Sequence, residues 1–211
     1  MKINRDGKHA LTVLKTKVNI ETVIDVGIQE CTPYLMNAYP DKKHILFEAI
    51  EEWQPFIEDI YNGMDYRLYN FGLADINSYV ELEVAPFMLR PGENSQSMVF
   101  GPAKRKIQFR RLDDVALRGK FPYLIKIDVD GGELKVIEGG AKTFRKAAVV
   151  IIEGRLHGMV NMSTIIHVMS ELNFKLFDMF NLRYSEEGQL IQCELVFLNK
   201  PNYEKSEYVE Q

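Results

Sequence analysis

The chain has 211 residues, 46% of them apolar and 27% charged, with a net charge of −4 at pH 7. That size and balance fit one globular domain, and the mild acidity excludes a global basic field for nucleic acid or a membrane surface. Two cysteines, Cys31 and Cys193, exclude a disulfide framework, and no apolar run approaches the roughly 20 residues of a membrane span.

In chain order, MKINRDGKHALTVLKTKVN carries no secretory leader, so a reducing cytoplasm is the expected location. TVIDVG (Thr22 to Gly27) reads as a buried parallel strand. Thr32-Pro33 then signals the start of a helix over Pro33 to Ala38. HILFEA (His44 to Ala49) is a second strand. Trp53, Phe56, Ile57 and Ile60 place a helix between Ile50 and Asn62. YRLYNFGLAD (Tyr66 to Asp75) is a third strand, and SYVELEVA reads as another. Ala85 to Pro102, with three prolines, reads as a loop. RKIQFRRL is a short strand or turn before a weak helix through Leu117. FPYLIKIDV is the fourth strand, followed by a helix with Leu134, Ile137, Ala141 and Phe144 on one face. AVVIIE (Ala148 to Glu153), a helix over Met162 to Leu172, and the strands FKLFDMF and CELVFLN complete the domain, 1–200. Residues 201–211 read as a polar, loose tail.

Alternating strands and helices predict an α/β fold with a mainly parallel sheet. Ligands in such sheets bind beyond the carboxyl ends of the strands. Asp25, Gly27, Glu48, Asp75, Asp128 and Glu153 each end a strand there. Glu48 lies about twenty residues after Gly27, the spacing at which an acid accepts ribose hydroxyls; the alternative is a solvated strand-end carboxylate. A dinucleotide turn would need G-x-G-x-x-G. DVGIQECTPYL keeps only Gly27, and Glu30 would repel a pyrophosphate. S-adenosylmethionine (SAM), with a cationic sulfonium and ammonium and no phosphate, suits an acidic turn better.

The order VIDVG, ILFEA, YNFGLAD, LDDV, LIKIDVDGGELKVIEGGA and VVIIEG resembles the FkbM-type family of SAM-dependent methyltransferases over roughly Thr22 to Glu153. The resemblance implies a class I methyltransferase, Rossmann-like fold: a mainly parallel seven-stranded sheet with helices on both faces. It implies methyl transfer to a hydroxyl, often on a sugar or polyketide. By position, Asp25 and Gly27 would line the methionine end of SAM, with Gln29 in the same turn. Glu48 would hold the ribose, and Ala74 and Asp75 would sit by the adenine. The family's first motif usually reads like DVGANxG; here Gln29 and Cys31 replace its asparagine and second glycine.

The acids of LIKIDVDGGELKVIEGG divide. Asp130 and Glu133 have the spacing of a capping box, and Gly131-Gly132 permits a tight turn. An EF-hand is unsuited, because Gly132 occupies a ligand place. Lys126 shares a strand face with Asp128 and is costly in a central strand unless paired, with Asp25 or Glu153 as the expected partner. Asp128 would then point toward the methyl group or the acceptor. A hydroxyl acceptor also needs its proton removed. The candidates are Asp128, Glu153 and His157, although His157 also reads as a surface residue and Glu153 as a structural partner of Lys126 or Arg155. His44 faces the other edge, and His167 reads as solvent-facing. Cys31 near a helix start is a rival nucleophile. No metal-ligand cluster is apparent, and Asp113-Asp114 reads as a helix's first turn.

Between the third and fourth strands, Phe87, Met88, Arg90, Phe100, Lys104, Arg105 and Lys106 mix apolar and basic character, with Arg110 and Arg111 following. They read either as an acceptor cover that orders with ligand or as a loop with solvated charges. The acceptor class is a small molecule or glycan, and exposed Tyr and Met would permit a homodimer. The competing readings are a binding module without turnover, from the altered Gln29/Cys31 turn, and a nucleotide oxidoreductase, which the missing glycines disfavour.

Overall fold

Short runs of Val, Ile and Leu bounded by Gly, Pro and Asp become strands, because a parallel strand buried on both faces needs apolar side chains in both directions. In the computed structural model, which describes residues 6–84, 87–89, 98–100, 103–158 and 160–206, the elements run as follows. They are α1 (Gly7–Lys17), β1 (Thr22–Val26), α2 (Pro33–Ala38), β2 (Lys43–Phe47), a 3-10 turn (Glu51–Trp53) leading into α3 (Gln54–Ile60), and β3 (Tyr66–Tyr69). Next come β4 (Gly72–Leu73), β5 (Ser78–Val84), β6 (Phe87–Leu89), β7 (Met98–Phe100), β8 (Ala103–Arg110) and a 3-10 turn (Leu112–Asp114). The chain ends with β9 (Tyr123–Ile127), α4 (Glu133–Gly139), α5 (Ala141–Phe144), β10 (Ala147–Arg155), α6 (Met162–Glu171), β11 (Phe174–Tyr184), β12 (Leu190–Asn199) and α7 (Lys200–Ser206).

The main sheet has seven strands in the order β3-β2-β1-β9-β10-β12-β11. All neighbours pair parallel except β12, which is antiparallel to β10 and β11. Strand order reverses between β1 and β9, the place where such sheets open a crevice. One face packs Ile24, Ile125, Val150 and Ile152 against Val136, Ile137 and Phe144 of α4 and α5 and Ile165 and Met169 of α6. The other packs Val23, Leu124, Val149 and Ile151 under Leu11 and Leu14 of α1 and Leu35 of α2. Each such side chain contributes about 1.5–3 kcal/mol on full burial.

Several local expectations change. α1 was not legible as a helix, yet Asp6 caps it by accepting His9 N–H at 2.9 Å, and Ala10, Leu11 and Leu14 are buried. The stretch read as a third strand is broken: Tyr66–Tyr69 stays in the main sheet, whereas Gly72–Leu73 joins a second sheet ordered β4-β8-β5. The expected loop Ala85 to Pro102 contains the paired strands β6 and β7; its remaining residues lie outside the described ones. The tail read as loose begins as α7, whose Tyr203 packs against the α1-side core, while 207–211 lie outside the described residues.

The helix expected after β9 is split at Gly140 into α4 and α5. Asp113 explains the new start: its carboxylate accepts the Lys142 and Thr143 N–H groups at 2.9 and 2.8 Å and the Thr143 hydroxyl at 2.8 Å. Loss of such a cap costs about 1–2 kcal/mol. Asp113→Ala should lower the unfolding free energy from urea denaturation by that amount, with a correspondingly lower midpoint; an unchanged midpoint would show that the cap is redundant.

Candidate active site

On the α1/α2 face, the lower rungs of the sheet carry Val23, Leu124, Val149 and Leu198, all apolar. The rung nearer the carboxyl ends carries Leu46, Asp25, Lys126, Ile151 and Val196. One step beyond, the same face reaches Glu48, Gly27, Asp128, Glu153 and Glu194. Charge is therefore gathered at the edge where α/β sheets bind ligands.

The first turn is built around Gly27, at φ 77°, where a Cβ would lie 1.8 Å from the Asp128 carbonyl oxygen. Only glycine lets the two strand ends approach so closely. Gln29 also takes a positive φ, 53°, and its N–H donates to Glu48 Oε2 at 2.8 Å. Glu48 Oε1 accepts Ile50 N–H at 2.8 Å. Burial pushes the Glu48 carboxyl up, and the donated N–H groups oppose the shift. Cys31 packs against the small core cluster of Ile28, Leu46, Trp53, Ile57 and Tyr61. Burial, with Glu30 nearby, pushes its thiol up rather than down, against the nucleophile reading.

Lys126 is buried and has two partners, Asp128 Oδ2 at 3.0 Å and Asp25 Oδ1 at 3.9 Å. The expected Lys126–Asp25 pair is present. Glu153 instead lies 3.9 Å from Arg155 and accepts a hydrogen bond from Gln192. Asp128 is held back toward Lys126. Burial opposes the charge on Lys126, but Asp25, Asp128 and Glu194 outweigh it and raise its pKa. Asp25 is fully buried, neither of its oxygens has a hydrogen-bond partner, and burial raises its pKa. Asp130 does not cap α4: Gly132 occupies that position, and Asp130, at φ 53°, pairs with Arg155. The expected box is therefore not formed; Glu133, the first helical residue, instead accepts the Gly131 N–H on its Oε1 at 2.9 Å.

His157 stands apart from the acids, its Nε2 3.0 Å from Gln189 Nε2 beside the β11–β12 turn. Ala74 and Asp75 end no strand of the main sheet; they follow β4, where Ala74 N–H donates to Arg110 O at 3.0 Å and Asp75 O accepts from Arg111 at 3.0 Å. Glu194 is not singled out by the sequence, because CELVFLN reads as an apolar strand. It sits buried on β12, with Tyr34 Oη donating to its Oε1 at 3.3 Å. His44 is buried at the start of β2, its Nε2 2.9 Å from Tyr39 O, and His167 is exposed on α6.

The profile described as "Methyltransferase FkbM domain" matches residues 25–176, well over half of the chain. The chain belongs to the FkbM methyltransferase family. Comparison with curated proteins finds no match. Among solved structures, FkbM-domain chain and neighbour share the fold alone. Magnesium protoporphyrin IX methyltransferase of Synechocystis PCC 6803, with bound SAM, superposes with a TM-score of 0.51 at 7% identity, over 91% of this chain and 76% of that one. An rRNA methylase of Streptococcus thermophilus gives 0.51 at 11% identity, over 94% and 99%. TehB of Haemophilus influenzae gives 0.51 at 6% identity, over 90% and 62%. The fold is thus that of the class I methyltransferases, and SAM is the cofactor of this FkbM-domain protein. The residues at the edge fit it: Asp25, ion-paired to Lys126 at 3.9 Å but with no hydrogen bond to either oxygen, keeps acceptor capacity for a cation, and Glu48 keeps lone pairs beyond those that its two N–H donors engage. No described helix is long and apolar enough to cross a membrane.

Proposed function

We propose that the protein transfers a methyl group from SAM to a hydroxyl on a sugar, glycan or polyketide-like small molecule. The observation that carries this reading is the acid-lined edge of the sheet, where Gly27, Glu48, Asp128 and Glu153 converge on the strand-order switch. Bound there, SAM supplies a methyl carbon on a cationic sulfur. Asp25, Gly27 and Gln29 would surround its methionine end, Glu48 would accept from the ribose hydroxyls, and Ala74 and Asp75 would flank the adenine. Glu153 is the favoured base. Burial and then the Asp128 charge raise its pKa to about 7, where a carboxylate is well matched to proton transfer at neutral pH. Asp128, paired with Lys126, would position the acceptor, and His157 would contact it from the rim.

A second reading, a binding module without turnover, is favoured by the closed first turn: Glu48 is 6% exposed and both of its oxygens already accept N–H groups. Calorimetry separates the two. Micromolar binding of SAM and S-adenosylhomocysteine is expected, weakened about 100-fold or more in Glu48→Ala, since two hydrogen bonds to a charged acceptor contribute about 3 kcal/mol together. Radiolabel transfer from methyl-labelled SAM to a panel of sugar and macrolide hydroxyls then reports turnover. Binding without transfer to any hydroxyl would favour the module, and no binding at all would overturn the methyltransferase reading and leave the module.

A further inference from the structure

We propose that Glu153 and Glu194 work as one proton-sharing carboxyl pair, Glu153 taking the acceptor's proton and Glu194 acting as a positioning residue behind it. This rests on the methyltransferase reading for its purpose, but not for its geometry. The two residues are directly opposite each other on antiparallel β10 and β12. Opposed residues on such strands hold their Cβ atoms about 4.5–5.5 Å apart on one face. Glu153 is the outer member, with a side chain 14% exposed, and accepts from Gln192 Nε2. Glu194 is the inner member, 8% exposed; its Oε1 accepts from Tyr34, while its Oε2 is buried with no hydrogen-bond partner. An orphaned buried oxygen next to a second carboxyl group is costly unless a proton is shared between them.

The surroundings leave the pair short of positive charge. Lys126 of β9 faces it, already engaged by Asp128 and Asp25. Asp128 and Asp130, beyond the end of β9, add negative charge, and Arg155 of β10 divides its contacts between Asp130 and Glu153. From α2 comes the Tyr34 hydroxyl, and from β11 the apolar ring of Phe180, packed edge-on to Tyr34. On β12 itself Cys193 faces the opposite core. Burial is the main cause that raises each group's pKa to about 7, so one proton resides on the pair near neutrality and the sites titrate together. In the reaction the acceptor's O–H bond would break and its electron pair would stay on oxygen to form the new O–C bond, while the bond from the methyl carbon to the donor's sulfur would break with its pair left on sulfur, and the proton would pass to Glu153 of the ionised pair. In the proton-free form of the pair the Glu194 charge holds the Glu153 carboxylate basic, and the proton once taken is shared between the two.

The test is a carbon-detected NMR titration of glutamate side-chain carboxyls in the full-length protein, with neither SAM nor acceptor present. Glu153 should titrate near pH 7, and in Glu194→Gln its midpoint should fall by at least one pH unit. The reciprocal Glu153→Gln, at the more exposed position, should lower the Glu194 midpoint in the same way and serves if Glu194→Gln does not fold. Tyr34→Phe should move the pair the other way, upward, because the anion loses a donor. A Glu153 midpoint in the ordinary carboxylate range, or one that stays put in folded Glu194→Gln, overturns the pair. On any hydroxyl acceptor returned by the transfer screen, the acid-side inflection of kcat should fall with the NMR midpoint while KM holds. An inflection that stays fixed overturns the catalytic role. Because the titration needs no ligand, failure of the methyltransferase reading leaves its result unchanged.

Discussion

Lys126→Met should destabilise the protein by about 3–5 kcal/mol at pH 7, the cost of removing one partner of a buried ion pair. Lys126 is 4% exposed, and the acid nearest to it in the core, Asp25, is 0% exposed. Methionine fills the volume but leaves Asp25, Asp128 and Glu194 facing one another without their common cation. The pH dependence follows from the directions of the shifts. Asp25 and Glu194 already have raised folded-state pKa values. A carboxyl group raised on folding favours the native state at acid pH, and that contribution is lost as pH rises through the folded value. Without Lys126 these values rise further, so the deficit should be largest at pH 7–8 and shrink toward pH 5, where the acids are neutral. Urea denaturation at both pH values checks this. An equal stability at pH 7 would mean that the buried acids are already protonated and that Lys126 balances nothing.

Gly27→Ala should be about as damaging, at about 2–5 kcal/mol, combining a strained backbone with overpacking. At φ 77° an L side chain is disfavoured, and its Cβ would sit 1.8 Å from the Asp128 carbonyl oxygen, a backbone atom on the neighbouring strand that has no free end to swing away. Relief requires parting β1 from β9 at the strand ends. That would also disturb the Asp128 N–H to Val26 O bond of 2.9 Å and the Gly27 N–H to Phe47 O bond of 2.9 Å. SAM binding should therefore be lost together with stability; Glu48→Ala, which orphans the Gln29 and Ile50 N–H groups but strains no backbone, should cost less stability for its loss of binding. Thermal melts with parallel SAM calorimetry separate the two variants; a Gly27→Ala protein with unchanged melting and binding would show that the turn relaxes freely.

Much of the frame is determined by sequence alone. TVIDVG, HILF, YLIKI and AVVII are apolar on both faces, a pattern that only a sheet covered on both sides can satisfy. The LIKIDVDGG stretch and Glu48 likewise mark the ligand edge, because strand ends follow from where the apolar runs stop. What the sequence could not decide depends on partners distant in the chain. Asp130 has the spacing of a cap, but Arg155, 25 residues away, draws it into an ion pair. The break after Tyr69 arises because Gly72 and Leu73 find Phe109 and Arg110 of β8 rather than the main sheet. α4 ends where Asp113 restarts the helix as α5. Glu194, hidden in an apolar run, becomes a candidate site residue only because antiparallel register sets it opposite Glu153. Periodicity reports which way a side chain faces; register and burial, which are properties of the packed sheet, decide what it meets and hence its charge.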